Sequence, residues 1–214
     1  RMLRENVIPE QQVERPNEQE PDAIQWTDKE LLQRLMLAEA GSEGKTGMAL
    51  VATVVFNRAA MAEEYGAYRY NADSSSIYDI IYADLQFQPV RDGNLYRPRT
   101  ASQLQLSEEA LQLALQPAEL KRLLIDEGLS ESHVNQLLRS DFFATHANSQ
   151  KGAVGVTQHP TYSLAYEEGY KNHGFWSDKP LEDFIFWADT KSDFTPTFGE
   201  TSNLQPIQEE QNQT

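Results

Sequence analysis

The chain has no cysteine among its 214 residues. This absence excludes disulfides, thiolate zinc sites and a cysteine nucleophile, and it leaves the redox compartment undetermined. Basic residues are also scarce, since 18 Lys and Arg stand against 33 Asp and Glu, for a formal net charge of -15. We therefore expect no nucleic-acid partner and no attraction to an anionic membrane surface, because both depend on clustered positive charge.

Long apolar runs are missing as well. No segment approaches the roughly 18 consecutive apolar residues of a membrane-spanning helix, so we expect no membrane span. No apolar signal-peptide core is visible near the N-terminus. Because the chain begins with Arg1 rather than Met, we keep open that it is a processed product that has already lost a targeting segment.

Sequence motifs for metals, nucleotides and serine nucleophiles are absent too. The four histidines, at positions 133, 146, 159 and 173, are far apart, and no His-Glu-x-x-His occurs. The glycine-containing segment 152–155 is not followed by the lysine and hydroxyl residue of a phosphate-binding loop, and no Gly-x-Ser-x-Gly is present. We expect neither a metal nor a cofactor.

The two ends of the chain differ in composition from its middle. Residues 1–25 are rich in Glu, Gln and Pro and have too little apolar surface to pack, and residues 195–214 are again polar and rich in Gln and Glu. The composition predicts a flexible N-terminal tail over 1–25, one domain over 26–194 and a C-terminal tail over 195–214. A domain of that length is large enough to bury a core.

A helix is predicted from Asp28 to Ala40, because Thr27 and Glu30 have the spacing of a capping box. Glu39 continues one face of this helix at helical spacing. The apolar residues of that face are Leu32, Leu35 and Met36. A carboxyl among such neighbours is partly desolvated, which raises its pKa and keeps a proton available near neutral pH. The small residues that follow, from Ala40 to Gly44, predict a turn that opens space beside the acid.

The rest of the domain is predicted to be mainly helical. Residues 46–60 are apolar around most of the helix circumference, which is typical of a buried central helix. Shorter helices are predicted after Ser76, which can cap the first of them, and from Ser107, which caps the second. Pro117 suits the first position of a third helix, over 118–127, and Ser130 caps a fourth that ends near Leu138. We expect a surface loop over 61–76, an extended stretch and turn over 86–93, and a strand over Phe184–Trp187. The expected fold is therefore α+β, mainly α, with a small β element.

Four groups of residues resemble the motifs of a known family, the SleB-like cell wall hydrolases, which include spore-cortex-lytic enzymes and phage relatives. The opening motif of the family resembles the segments 30–32, 37–40, Glu43-Gly44, Gly47 and 51–58, the last reading Val-Ala-Thr-Val-Val-Phe-Asn-Arg. Its second motif is similar to Gln86-Phe87-Gln88-Pro89-Val90 with Asp92-Gly93. Segments 142–148 and 176–180 resemble the third and fourth motifs more weakly.

The sequence departs from the family pattern at three places. Gly41-Ser42-Glu43-Gly44-Lys45 stands where the family has an Arg-Gly-Glu-Pro-like segment, and Gln88 stands where a serine is common. The family often ends in a Gly-Asn-His-Phe-like strand, and we identify Phe184–Trp187, which contains no histidine, as its nearest counterpart. We therefore expect no histidine in the site.

The resemblance implies a compact, lysozyme-like domain that cleaves peptidoglycan glycan strands between N-acetylmuramic acid and N-acetylglucosamine. It implies that Glu39 is the catalytic residue, first as a general acid and then as a base that closes a 1,6-anhydro ring, as in a lytic transglycosylase. The expected substrate-binding residues are Glu43, Gln86, Phe87, Tyr68 and Asn148. The enzyme would face the cell wall, in an extracellular, periplasmic or spore location, or would be carried on a virion.

Other interpretations of the same residues stay open. An inverting hydrolase needs a second carboxylate about 6.5–9.5 Å from the acid, and Glu43 and Asp92 are the candidates. Gln86 and Asn148 are equally well explained as loop caps, and Phe87 as a core aromatic. The polar tails also fit a non-catalytic peptidoglycan-binding component of a phage particle or an envelope assembly, held in that assembly through its tails.

Overall fold

The structure is a computed structural model of the chain, and it describes residues 26–84, 86–145, 169–177, 186–188 and 194–199. The predicted tail over 1–25 lies outside these residues, as do the predicted site residue Asn148 and the predicted strand residues Phe184 and Ile185. The domain boundaries therefore stay predictions.

The described residues form a compact, mainly helical domain with a small sheet. The helices are α1 Asp28–Ala40, α2 Gly44–Tyr65, α3 Ile77–Tyr82, α4 Gln88–Arg91, α5 Ala101–Ala114, α6 Pro117–Asp126 and α7 Glu131–Leu138. Short 3₁₀ helices span Gly41–Glu43, Ala67–Tyr70 and Asn94–Tyr96. Strand β1 (Phe142–Thr145) pairs antiparallel with β2 (His173–Trp176), with Phe142 opposite Trp176 and Thr145 opposite His173. The predicted fold class is confirmed.

Helix α1 has the predicted bounds and the predicted cap. The Thr27 hydroxyl accepts a hydrogen bond from the Glu30 N–H, and the Glu30 carboxylate accepts one from the Thr27 N–H, both at 3.0 Å. This exchange satisfies two of the N–H groups that a helix start leaves without partners. Lys29 and Gln33 of α1 both donate to Glu108 of α5, at 2.8 and 2.7 Å, and join the two helices.

Helix α2 is the centre of the domain. Its residues from Thr46 to Ala62 are all buried, and it packs against α1, α3, α5, α6 and α7. The prediction that this helix ends at residue 60 is wrong, because the buried side chains of Met61 and Ala62 continue its apolar surface and the helix stops only before Gly66, whose φ is +100°. The predicted surface loop is correspondingly shorter. Its residue Tyr70 is fully buried.

Asn57 and Arg58 bind the segment that precedes strand β1. The Asn57 amide donates to the carbonyls of Leu138 and Ser140 at 3.0 and 2.7 Å, and Nε of Arg58 donates to the carbonyl of Asp141 at 2.6 Å. Since the segment 138–141 leads directly into β1, these bonds satisfy its buried carbonyls and set the position of the strand.

Two further predicted boundaries are wrong. Residues 88–91 form α4 rather than an extended stretch, with Pro89 in its first turn, where a missing N–H is harmless. Helix α5 begins at Ala101, because Thr100 caps it and forms a second capping box with Gln103. Ser107, the predicted cap, lies inside this helix and donates to the Leu104 carbonyl at 2.8 Å.

The last described segments, 186–188 and 194–199, contact α2. Phe186 and Trp187 are not in a strand, and the Trp187 N–H donates to the Asn57 side chain at 2.8 Å. Phe198, within the predicted C-terminal tail, contacts Phe56 of α2 with ring centroids 6.3 Å apart. The described residues 194–199 are therefore in contact with the domain.

Candidate active site

Glu39 lies in the last turn of α1 and is partly buried. Burial raises the pKa of its carboxyl to about 7, because a charged carboxylate is less stable away from water. The sequence predicted this direction from the apolar face of the helix. A carboxyl with such a pKa is protonated in part of the molecules at neutral pH and can both donate and accept a proton.

Three charged side chains from different elements act on Glu39. His173 of β2 and Arg58 of α2 lower the pKa of Glu39, whereas Asp92, in the turn after α4, raises it. The positive charges oppose the effect of burial and keep the pKa close to neutral. The fold thus brings together residues that lie up to 134 positions apart in the sequence.

The turn after α4 is held against the end of α1. The Asn94 N–H donates to the Asp92 carboxylate at 2.9 Å, and the Asn94 side chain donates to the carbonyl of Ala38, the residue before Glu39, at 3.2 Å. These bonds explain why Asp92 is close enough to affect Glu39. Asp92 itself is exposed.

Glu43 is a buried residue, only 3 % exposed. Its Oε1 lies 2.6 Å from Nδ1 of His173 and accepts a hydrogen bond from the Asn172 N–H at 3.2 Å. Its Oε2 has no hydrogen-bond partner among the described residues. A binding role for Glu43 stays a prediction, and its carboxylate is buried with Oε1 bonded within the protein.

A two-residue turn brings His173 to Glu43. Tyr170 and His173 exchange backbone hydrogen bonds at 2.8 and 3.0 Å, and Lys171 between them has a left-handed φ of 48°. The Lys171 ammonium donates to the Glu43 carbonyl at 2.5 Å, and the Tyr170 hydroxyl donates to Glu127, at the end of α6, at 2.7 Å. The turn is therefore attached both to the start of α2 and to α6.

The structure places His173 next to Glu43 in the candidate site, where the sequence analysis expected no histidine. The sequence did contain the signal. Asn172-His173-Gly174-Phe175 matches the Asn-His-Phe element expected near the end of the family pattern better than Phe184–Trp187 does. Segment 184–187 carries the stronger strand signal, and Gly174 separates His173 from Phe175 where the expected order is Asn-His-Phe.

Arg58 makes contacts that its position on the central helix did not predict. It is 2 % exposed and lies over the rings of Phe87, Phe142 and Tyr70, at 4.6, 4.9 and 5.5 Å from their centroids. Its Nη1 donates to Oε1 of Gln86 at 3.1 Å. Gln86, a predicted substrate-binding residue, is therefore held next to the charge that acts on Glu39.

Two other predicted substrate-binding residues have different surroundings. Phe87 is 2 % exposed and packs against Arg58 and Phe143, so its ring supports the site from the interior. Tyr68, in the 3₁₀ helix after α2, is 76 % exposed, and its ring lies over Gly66. Binding roles for both stay predictions.

A cavity of about 450 Å³ lies elsewhere, between α6 and α7. Its lining residues are Pro117, Ala118, Lys121, Asn135, Leu138, Arg139, Trp187 and Ala188. None of them is a predicted site residue.

Within the described ranges there is no cluster of His, Cys, Asp and Glu that can hold a metal ion, and no helix is long and apolar enough to cross a membrane.

Residues 42–123 match the family model described as Cell Wall Hydrolase. This match covers less than half of the chain. It includes Glu43, Arg58, Gln86 and Asp92, whereas Glu39 lies three residues before its start. The match supports the cell wall hydrolase family and, with it, a peptidoglycan-degrading function at the cell wall. No curated protein and no solved structure matches the chain significantly.

Proposed function

We propose that the protein is a glycosidase that cleaves the bond between N-acetylmuramic acid and N-acetylglucosamine in peptidoglycan, acting as a lytic transglycosylase with Glu39 as its catalytic residue. The observation that carries this proposal is the environment of Glu39, whose pKa of about 7 suits a group that must donate and then accept a proton. The family match supports the substrate class.

In the first step the Glu39 carboxyl protonates the glycosidic oxygen as the bond from that oxygen to C1 of the muramic acid breaks. An oxocarbenium-like species forms at C1. In the second step the Glu39 carboxylate takes the proton of the C6 hydroxyl of the same sugar, and the C6 oxygen bonds to C1. Glu39 is again protonated, and the product carries a 1,6-anhydro ring.

The surroundings of the other carboxylates favour this single-carboxylate mechanism over an inverting hydrolase. An inverting enzyme needs a second carboxylate that contacts a water molecule near the sugar. Glu43 is buried and bonded to His173, so it is badly placed to hold such a water. Asp92 is exposed, but its oxygens accept hydrogen bonds from Asn94 and Gln88 within its own turn, at 2.9 and 3.4 Å.

Mass spectrometry of the muropeptides released from purified peptidoglycan tests the proposal. A transglycosylase gives products that are one water lighter than the hydrolytic products and that lack a reducing end. We expect the lighter species. Reducing muropeptides alone would rule out the transglycosylase mechanism, and the absence of any soluble product would rule out the glycosidase.

A further inference from the structure

Glu43 and His173 form a buried pair for which the proposed reaction has no step. Their side chains are 2 % and 8 % exposed, and Oε1 and Nδ1 are 2.6 Å apart. Burying two ionisable groups costs desolvation free energy, and replacing such a pair by apolar residues is often neutral or stabilising. Fold stability is therefore a weak explanation for the pair.

The contacts around Glu43 determine where the imidazole lies. Three consecutive residues of one turn bind Glu43: Lys171 at the carbonyl, and Asn172 and His173 at Oε1. The ring of His173 also contacts Phe143 edge-on, with centroids 5.6 Å apart. Because Glu43 follows Glu39 by four residues, these contacts fix His173 relative to the end of α1.

The position of His173 matters for Glu39. Its charge lowers the pKa of Glu39 and is the largest effect of any charge on that carboxyl. The other charged groups that act on Glu39 are Arg58, from α2, and Asp92, from the turn after α4. Arg58 is tied to Asp141 and Gln86 and stays charged at all working pH values. A substitution of His173 therefore removes one of the two charges that lower the pKa of Glu39 and leaves the contacts of Arg58 in place.

We propose that Glu43 and His173 are positioning residues for Glu39: Glu43 holds the imidazole of His173 at the end of α1, four residues after the catalytic carboxyl, and the buried pair tunes the proton transfer of that carboxyl. Neither residue exchanges a proton with the substrate. This inference rests on the proposed function of Glu39. It assigns the buried carboxylate a role that differs both from substrate binding and from activation of water.

The test compares three substitutions with a matched control. His173→Gln removes the charge and keeps an N–H that can donate to Glu43. Glu43→Ala removes the acceptor, whereas Glu43→Gln keeps an oxygen at the same place. His133→Gln is the control, because His133 lies on α7, where its Nε2 is 3.1 Å from the Gly169 carbonyl.

The pH dependence of kcat/KM on purified peptidoglycan is the first measurement. Losing the positive charge raises the pKa of Glu39, so its acid form persists to higher pH. We expect the alkaline limb to move upward by roughly one pH unit in His173→Gln and Glu43→Ala. We expect a clearly smaller shift in Glu43→Gln and none in His133→Gln. A rate that falls equally at every pH, with the limb unmoved, would mean that the pair is only structural.

The second measurement does not depend on activity. Carboxyl ¹³C NMR follows the titration of Glu39, whose resonance is identified by its absence from Glu39→Gln. We expect a higher midpoint in folded His173→Gln than in the wild type. If Glu39→Gln still cleaves normally, the proposed function fails, and the two midpoints still decide the role of the pair. If cleavage requires Glu39 and the midpoints are equal, the positioning role alone is refuted.

Discussion

The guanidinium of Arg58 donates to the side chain of Gln86 at 3.1 Å and thereby joins two motifs that are 28 residues apart. The cation is 2 % exposed and lies 4.6 Å from the ring centroid of Phe87, with its Nε on the Asp141 carbonyl. One side chain of the central helix thus positions the second motif and the start of β1, while its charge acts on Glu39.

Arg58→Lys should therefore destabilise the protein although it conserves the charge. An ammonium group cannot reproduce the planar set of donors that reaches Asp141 and Gln86 together, and it is more strongly hydrated than a guanidinium. We expect a loss of about 2–4 kcal/mol, since the change leaves a buried charge poorly paired. Urea unfolding at fixed pH measures it.

Arg91→Lys is the matched control, because Arg91 is exposed on α4. It should change the free energy of unfolding by less than about 0.5 kcal/mol. Equal effects of the two substitutions would show that the contacts of Arg58 contribute nothing specific to stability.

Local sequence signals were sufficient for much of the fold. The caps of α1 and α7 and the proline at the start of α6 were predicted correctly, because each depends on residues within one helical turn. The start of α5 was missed, since two good caps, Thr100 and Ser107, compete there and the choice between them depends on the packing of the whole helix. The end of α2 was missed because burial of Met61 and Ala62 overrides a loop-like sequence.

The candidate site was predictable only where it is local. Glu39 and the direction of its pKa shift follow from one face of one helix. The pairing of Glu43 with His173 joins residues 130 positions apart, and no periodicity or spacing connects them. The burial of Phe87 against Arg58 depends on the path of the chain after α3, which local patterns do not determine.

Gly47→Ala should displace Glu43. A Cβ on Gly47 would lie 2.5 Å from the Cβ of Glu43 and 3.0 Å from its Oε2. The contact with the Glu43 Cβ cannot be relieved without moving the backbone at the start of α2, so we expect a loss of about 1–3 kcal/mol. Thermal unfolding measures the change.

Gly41→Ala provides the comparison. Gly41 has a right-handed helical φ of -58°, and the nearest atom to an added Cβ is Cδ2 of Leu37 at 3.9 Å. We expect stability to be unchanged or to rise by up to about 1 kcal/mol, because alanine reduces the entropy of the unfolded chain. A loss as large as that of Gly47→Ala would contradict the steric argument.

Asp92→Asn should leave catalysis largely intact. The asparagine oxygen can still accept the Asn94 N–H, and the single-carboxylate mechanism requires no proton transfer by residue 92. Because Asp92 raises the pKa of Glu39, its neutralisation should move the alkaline limb of kcat/KM to lower pH, by at most about half a unit for an exposed, screened charge. A loss of activity comparable to that of Glu39→Gln would instead support an inverting hydrolase.

The raised pKa of Glu39 also predicts a pH-dependent stability. Between the ordinary carboxyl value of 4.5 and about 7, the unfolded chain has lost this proton while the folded protein retains it. The stability contributed by Glu39 is therefore fully present below pH 4.5 and is lost as the pH rises toward 7. Glu39→Gln should match the wild type at pH 4 and should be more stable at pH 8, by about 1–3 kcal/mol. Calorimetry over this range measures the difference, and a constant difference at all pH values would contradict the shift.

The most direct test of the account is the turnover of Glu39→Gln on purified peptidoglycan, measured together with its binding to the same material. Glutamine keeps the size of the side chain and removes the transferable proton. We expect kcat to fall on the order of 10²–10⁴-fold while binding is retained, and we expect Glu109→Gln, an exposed change on α5, to behave as the wild type. A folded Glu39→Gln protein that cleaves glycan at the normal rate would contradict the assignment of Glu39 and the mechanism built on it.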